Sequence, residues 1–482
     1  MTTLPAFDWA INLLIVQGLM GAFDTLYHHE LAQKLPCSPR ARRELSIHAI
    51  RAVLYGLVFV SVANLKFLGV WTFAIAALVL VEVALTLWDF VEEDRSRKLP
   101  ATERVLHTLL AINGGALFGL YGLQLAAWFQ APTALAAADV GWRGWLLSLF
   151  ALGVMASGVR DGVATYRMNR RMPVENPFAG QSHFNILVSG GTGFIGEALV
   201  IHLLDAGHAV TVLTRDPLRA AYQFNGRARC VTAVSQLHRE ERFDTVINLA
   251  GAPVLGQRWS ARRRARLLAS RIGVTETLLR WVNTAASRPG TWIQASAIGY
   301  YGARSADERL TEGSVPGSGF MSELCQKWED SARPIEDLGI RTVVLRLGLV
   351  FGPGGALPPM LLPYYFGVGG HLGSGKQVMS WIHREDVLRI IARAISNSGM
   401  RGVYNATAPT SLTQAEFARI LGRVLHRPAW FHLPAAPLRW AAGEMSELLL
   451  GGQRVFPTRL LQEGFEFRFA KVEPALRALI MN

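Results

Sequence analysis

Two patterns among these 482 residues carry side chains or turns that could do chemistry. The first is Gly190-Gly191-Thr192-Gly193-Phe194-Ile195-Gly196, whose glycines permit a tight turn and let backbone amides approach a pyrophosphate with no Cβ in the way. The second is a set of acid and histidine pairs: Asp24 and His28, Glu44 and His48, Glu103 and His107. Each pair stands four residues apart and so shares a helix face. Glu82, Asp89 and Glu93 add a further acidic row on one face. Carboxylates and imidazoles projecting from facing helices hold paired iron or manganese ions in bundles, although the acid-to-histidine spacing there is three. A quinone redox site is a related option. The competing account is structural: Glu30, Glu92, Glu93 and Asp94 neutralise nearby arginines, and the histidines hydrogen-bond at an interface. Glu82 resists that account, because it lies inside a long apolar run where an ionisable group requires a partner.

The elements that must position the glycine turn are legible around it. Phe184–Ser189 is a short apolar strand, and a helical pattern from Glu197 to Gly207 follows the turn. A second strand, His208–Thr214, comes next and ends at Arg215, with Arg219 close by. A carboxylate at that place would bind the 2′-hydroxyl of NAD, whereas a guanidinium suits the 2′-phosphate of NADP(H). NADP(H) is therefore favoured over NAD(H). Apolar strands at Phe243–Gly251, Thr291–Ser296 and Arg341–Gly348 alternate with helical stretches at Ser260–Ala285 and Met321–Leu338. The fold class that follows is α/β, a doubly wound parallel sheet of the Rossmann type with a small C-terminal α/β substrate region. The basic cluster Arg258, Arg262, Arg263, Arg264 and Arg266 reads as a solvated helix face, and no nucleic-acid module accompanies it.

The acid and histidine pairs sit in a different kind of sequence. Half of all residues are hydrophobic, 18% are charged and mean hydropathy is +0.23, which excludes a disordered chain and is too apolar for an ordinary soluble enzyme. The excess lies before residue 160, in five runs near 9–26, 49–65, 70–90, 105–128 and 144–159, against about 20 residues needed to cross a bilayer. An all-α transmembrane bundle is expected there. Lys34, Arg40, Arg42, Arg43, Arg95, Arg97, Lys98, Arg104, Arg160, Arg167, Arg170 and Arg171 fall on one side of five spans, opposite only Lys66 and Arg143. The positive-inside rule then places the C-terminal part in the cytoplasm of a cell bounded by this inner or plasma membrane. The expected divisions are residues 1–165 for the membrane helices, 166–183 for a basic linker holding no buried element, 184–430 for the NADP(H)-binding domain and 431–482 for a small final domain. Net charge is +13, and Cys37, Cys230 and Cys325 match neither a disulfide framework nor a zinc spacing.

The glycine turn, Ile247-Asn-Leu-Ala-Gly-Ala-Pro253, Gly299-Tyr-Tyr-Gly302, Arg346-Leu-Gly-Leu-Val-Phe-Gly-Pro-Gly-Gly355 and Ser380-Trp-Ile-His-Arg-Glu-Asp386 together resemble the extended short-chain dehydrogenase/reductase superfamily. The likeness is to its epimerase-like subfamily, and the tail from Gly451 is similar to the domain of unknown function that ends those proteins. The resemblance implies that Gly190–Gly196 bind the cofactor phosphates, that Ala250 and Gly251 line the cofactor, and that Trp381 and His383 border a small-molecule substrate. It also implies a catalytic tyrosine followed four residues later by a lysine. This chain has Phe320 or Met321 at the first place and Leu324 or Cys325 at the second, with Lys327 out of register. Ser296, with Tyr300 or Tyr301, is the replacement offered by nearby residues; Ala297 is an alternative register for the serine. Three functions stay open: an atypical oxidoreductase or epimerase, a non-catalytic NADP(H) sensor at the membrane, and an NADPH-driven electron donor to a metal or quinone in the bundle.

Overall fold

The computed structural model describes residues 4–25, 27–28, 42–96, 101–170 and 175–480. Of the residues used above, Glu30, Lys34, Cys37, Arg40, Arg97, Lys98 and Arg171, and the side chains of Arg95, Arg167 and Arg170, lie outside that description. The chain divides into a helical unit reaching Pro173 and an α/β unit spanning Val174 to Met481.

Five helices make the first unit: α1 (Pro5–Phe23), α2 (Arg42–Asn64), α3 (Trp71–Ser96), α4 (Ala101–Phe129) and α5 (Trp142–Arg170). All five are long and apolar enough to cross a membrane, by length and composition. Beside an apolar core that includes Leu14, Phe59 and Leu117, polar groups are buried and large apolar ones exposed. Glu44, Glu82, Asp89, Glu93, Glu103, Gln17 and Gln124 are buried, while Trp9, Leu80, Ile112, Trp145 and Leu152 are exposed. Glu82, which resisted a structural account, has two partners: the Arg51 guanidinium at 3.4 Å and the Thr86 hydroxyl, which donates to it at 2.6 Å. The Arg51 guanidinium also pairs with Asp89. Where α2 crosses α5, small residues let the backbones approach: a Cβ on Gly158 would stand 2.8 Å from Ala52 Cβ and 3.0 Å from the Ala49 carbonyl.

In the α/β unit seven parallel strands form one sheet: β1 (Asn185–Ser189), β2 (Ala209–Leu213), β3 (Arg229–Val231), β4 (Thr245–Asn248), β5 (Thr291–Ala297), β6 (Arg341–Leu347) and β7 (Gly402–Ala406). Their spatial order is β3-β2-β1-β4-β5-β6-β7. The Rossmann-like α/β expectation holds. Period-two alternation sends Ile186 and Val188 to one face, against the helices Phe194–Asp205 (α6) and Arg384–Ser396, and Leu187 to the other, against Val274–Thr284. Both faces are thus covered, as the continuous apolar runs require.

Two boundaries differ from the sequence reading. Helix α5 continues to Arg170, and Phe178 is fully buried in the α/β core beside His208, so the second half of the expected linker is part of that unit. The stretch 260–285 is one helical run, as expected, capped by Ser260 and ended at Ala285, with a wider turn at Ala269–Gly273 between Ala261–Leu268 and Val274–Thr284. The last fifty residues are woven into the preceding fold rather than set apart. Phe431–Leu433 pairs with Gly370–Leu372, Arg454–Val455 pairs with Arg309–Leu310, and Val472–Ile480 packs on Gln414–Leu425.

Candidate functional site

The glycine turn leaves the carboxyl end of β1. Gly190 has φ +72°, a conformation natural to glycine, and a Cβ there would stand 2.6 Å from the Leu249 carbonyl carbon. A Cβ on Gly196 would stand 2.1 Å from the Gly190 oxygen, and one on Gly191 2.8 Å from Val212. The turn is therefore wedged between the loop after β4 and its own helix. No side chain caps α6, so the amides of its first turn are free to receive an anion. Thr192 is half-buried and Ile195 packs against the core. Phe194 does something else: its ring fills the space left by Gly352, Gly354 and Gly355 and lies beneath the Arg384 guanidinium, which braces the turn from outside. Arg215 is exposed just past β2, with Asp216 capping the helix that carries Arg219. Ala250 is half-buried and Gly251 exposed at the end of β4. A group that sequence reading missed stands beside Gly251: a Cβ there would meet the Arg271 guanidinium at 3.0 Å. Arg271 is buried, stacks on Trp328 and donates to the Leu267 and Ala252 carbonyls, and burial lowers its pKa. It projects from the wider turn at Ala269–Gly273, an interruption that no spacing rule foretold.

The residues expected to do the chemistry are largely committed to packing. The buried Ser296 hydroxyl donates to Glu329 Oε1 at 2.6 Å, and Glu329 is gripped through both oxygens by Arg346 at 2.8 Å. Tyr301 is fully buried; its hydroxyl donates to Asn405 and accepts from Arg346 Nη1, and burial pushes its pKa up. Ser296 and Tyr301 thus belong to one closed network. Tyr300 differs, being half-buried, with the Arg346 guanidinium 3.4 Å from its ring centre and no hydrogen bond to its hydroxyl among the described residues. Trp381 and His383, expected to border the substrate, are both buried. Trp381 is fully buried, stacks on Phe351 and donates to the Thr410 carbonyl. His383 caps the helix Arg384–Ser396, accepting from the Glu385 amide, and burial with the charges of Arg384 and Arg468 pushes it down to about 3. The sequence signal for both was family position, which does not report burial.

A cavity of about 790 Å³ is lined by the segments after β4 and β5 and by residues 439–451, including Trp259, Arg264, Phe320, Glu323, Arg439 and Glu447. Loops on the carboxyl side of the strands are where ligands bind in such sheets. Part of the arginine cluster is engaged: Arg264 lines the cavity and pairs with Glu444, Arg258 donates to the Trp440 and Ala441 carbonyls and Arg263 to Pro253, while Arg262 and Arg266 are exposed as a solvated face would have them.

In the helical unit the paired acids and histidines converge. Asp24, Glu103 and His107 form one group with donor atoms within 4.8 Å of one another, and Glu44, His48 and Glu93 form a second. His28 is in neither group; its Nδ1 lies 2.8 Å from Asp24 Oδ1 and its Nε2 3.3 Å from the Thr102 hydroxyl, so it orients Asp24 from behind.

Comparison with known proteins bears on the α/β unit. The NAD dependent epimerase/dehydratase family matches residues 186–406, and a domain of unknown function, DUF1731, matches residues 433–479. The chain is 39% identical over 300 residues to epimerase family protein YfhF of Bacillus subtilis (strain 168), covering 62% of this chain and 98% of that protein. The chain belongs to the NAD dependent epimerase/dehydratase family. Within it, the chain is 40% identical over 301 residues to epimerase family protein SDR39U1 of Bos taurus, covering 61% of this chain and 99% of the relative. The crystal structure of human SDR39U1 (isoform 2) with NADPH superposes with a TM-score of 0.57 at 35% identity, covering 62% of this chain and 99% of that one.

Against the epimerase/dehydratase pattern stated from the sequence, the helix Phe320–Ala332 carries Phe320 or Met321 at the tyrosine place and Leu324 or Cys325 at the lysine place, and of these Met321 and Cys325 face Gly299. Both press on Gly299, at 3.3 Å and 3.5 Å from where a Cβ would stand. Cys325 is buried, and burial pushes its thiol up to about 12, so it offers no proton near neutrality. Lys327 faces solvent.

Proposed function

We propose that the α/β unit binds NADP(H) at the Gly190–Gly196 turn and oxidises or reduces a small substrate in the adjoining cavity. We infer further that α1–α5 span an inner or plasma membrane and hold this unit on the cytoplasmic side. The observation that carries the first part is the glycine cradle at an uncapped helix N-terminus, which fits a dinucleotide pyrophosphate. Arg215 and Arg219 suit the 2′-phosphate, in keeping with the NADPH of the human relative. When bound, the nicotinamide supplies a hydride acceptor or donor. The chain's own residues bind, position and exchange protons. Arg271 holds a fixed positive charge at the end of β4, Arg346 holds the Tyr300 ring, and Tyr300 replaces Ser296 and Tyr301 as the group with a hydroxyl able to exchange a proton.

The membrane reading is supported by five apolar helices with lipid-compatible exteriors, and by exposed Trp9, Trp142 and Trp145. Asp8 pairs with Arg143 at the same end of the bundle, and the acid-histidine groups lie at the other.

A second reading is favoured by Met321 and Cys325, which leave the family's acid/base places apolar. In it, the unit binds NADP(H) as a sensor without turnover. Detergent-purified full-length protein mixed with NADPH and a panel of carbonyl compounds and quinones decides between them. The enzyme reading expects cofactor consumption that drops about 100-fold or more in Tyr300→Phe with NADPH affinity retained. Tight binding with no consumption would leave the sensor.

A further inference from the structure

The acid-histidine groups of the helical unit have no role in the chemistry just described, yet they are built alike. Glu44 and His48 on α2, and Glu103 and His107 on α4, are the same pair with the same spacing. Each pair is joined by one carboxylate from another helix: Glu93 of α3 joins the α2 pair, and Asp24, at the end of α1, joins the α4 pair. Glu93 also reaches across, with Oε1 3.6 Å from His48 Nε2 and Oε2 3.2 Å from His107 Nδ1. Asp24 Oδ2 lies 3.0 Å from the other nitrogen of that ring, Nε2, so His107 turns Nε2 to its own group and Nδ1 to Glu93.

We propose that each of these two groups holds one first-row divalent metal ion, with Glu93, a ligand in the second group, accepting from the outer nitrogen of His107 in the first. Metal-to-oxygen and metal-to-nitrogen bonds are about 2.0–2.2 Å, so ligands on opposite sides of one ion stand about 4.2 Å apart. Donor atoms already gathered within 4.8 Å need shift by only a few tenths of an ångström to close on an ion. Asp24 and Glu103 bring two carboxylates to the first group, and Glu44 and Glu93 bring two to the second. Next door, Arg51 pairs with Glu82 and Asp89, and Asp89 also stands 3.0 Å from His48 Nε2 at the edge of the second group. An oxygen-rich donor set with one imidazole per ion suits manganese, iron or zinc rather than copper(I) or calcium. The acid-histidine pair from each of two helices, with one carboxylate from each of two others, is a way bundles build dinuclear sites; a spacing of four keeps each pair on one face as a spacing of three does.

Both shells around the ions are provided. His28 fixes the orientation of Asp24, the outer-shell service that metal-binding carboxylates need. On the open side, Asp24, His48 and His107 line a cavity of about 770 Å³ whose other walls are mainly apolar, among them Phe59, Phe90 and Phe118. The pair would therefore face a chamber suited to a lipophilic molecule. The proposal does not depend on cofactor binding by the α/β unit, and loss of NADPH binding would leave it untouched.

The alternative occupant of the same geometry is a proton, with His107 held as an imidazolium between Asp24 at 3.0 Å and Glu93 at 3.2 Å. Metal analysis separates the two. Full-length protein purified in detergent, without chelator or nickel resin, from medium supplied with manganese, iron and zinc should carry about two ions per chain. Glu93→Gln should lower that to about one or none, and the double change His48→Ala with His107→Ala should abolish it, with helical circular dichroism and NADPH binding retained as checks on folding. Should these variants not accumulate, wild-type protein stripped with chelator and titrated with cobalt(II) should develop ligand-field absorption that saturates at about two equivalents. Wild-type protein with less than about 0.2 ions per chain that also takes up no cobalt would overturn the proposal. So would metal content unchanged in both folded variants.

Discussion

Both halves of the molecule bury carboxylates, and they treat them oppositely. In the α/β unit Glu329 faces one guanidinium, Arg346, whose remaining nitrogen reaches Tyr301; Ser296 closes the ring. One acid meets one base, and every atom is used. In the helical unit Asp24, Glu44, Glu93 and Glu103 gather around His48 and His107, groups that are neutral or cationic depending on what else is bound. Glu329 keeps a 12% exposed side chain, whereas Glu44, Glu93 and Glu103 are fully buried. What separates the two places is that one guanidinium takes both oxygens of a single carboxylate in the first, and imidazoles stand between several carboxylates in the second.

That contrast can be broken first at Arg346. Arg346→Leu leaves Glu329 buried beside a neutral group and should cost about 3–5 kcal/mol in chemical denaturation, with much of it regained in the double change to leucine at 329 and 346. A small cost would mean that this network is no more closed than the bundle's. Gly196→Ala sharpens the comparison from the other side, because its Cβ would strike the Gly190 oxygen. It should weaken NADPH binding at least about 100-fold by calorimetry while leaving the metal content of the helical unit unchanged. Arg215→Ala should lower NADPH affinity about 10-fold or somewhat more, with NADH affinity unaffected; equal loss for both would remove the 2′-phosphate assignment.

The smallest effect concerns a group whose charge is suppressed. His383 is held near 3 in the folded chain and titrates near 6.5 when unfolded, so between those values the unfolded chain binds the extra proton. Its contribution is complete above about pH 6.5 and declines by about 1.4 kcal/mol for each unit below it. His383→Asn, which keeps a cap acceptor, should flatten the fall in melting temperature between pH 7.5 and pH 5.5. An unchanged slope would assign the acid sensitivity elsewhere.

Periodic features were legible before any coordinates. The glycine turn between strand and helix, the parallel strands and the five apolar helices all repeat at intervals that sequence displays. The acid-histidine pairs were legible one helix at a time, through their spacing. Their joining was not, because Glu93 meets His107 only through the packing of α3 on α4. The Ser296 network was hidden for a similar reason, since Glu329 and Arg346 belong to a helix and a strand with no shared period. Two-residue pairings such as Arg454–Val455 with Arg309–Leu310 carry almost no local signal, which is why the last residues read as a separate domain. Phe178 read as linker because a single aromatic among prolines and arginines has no pattern to betray its burial.

The way the four donor-bearing helices share their ligands sets an order on biosynthesis. Asp24 and His107 are 83 positions apart, and Glu44 waits for Glu93. On the proposed membrane reading, a chain that had inserted only its first two apolar segments would hold both groups incomplete. The Glu44 group closes with the third segment and the Asp24 group only with the fourth, so a chain stalled between them would retain at most one of the two proposed ions.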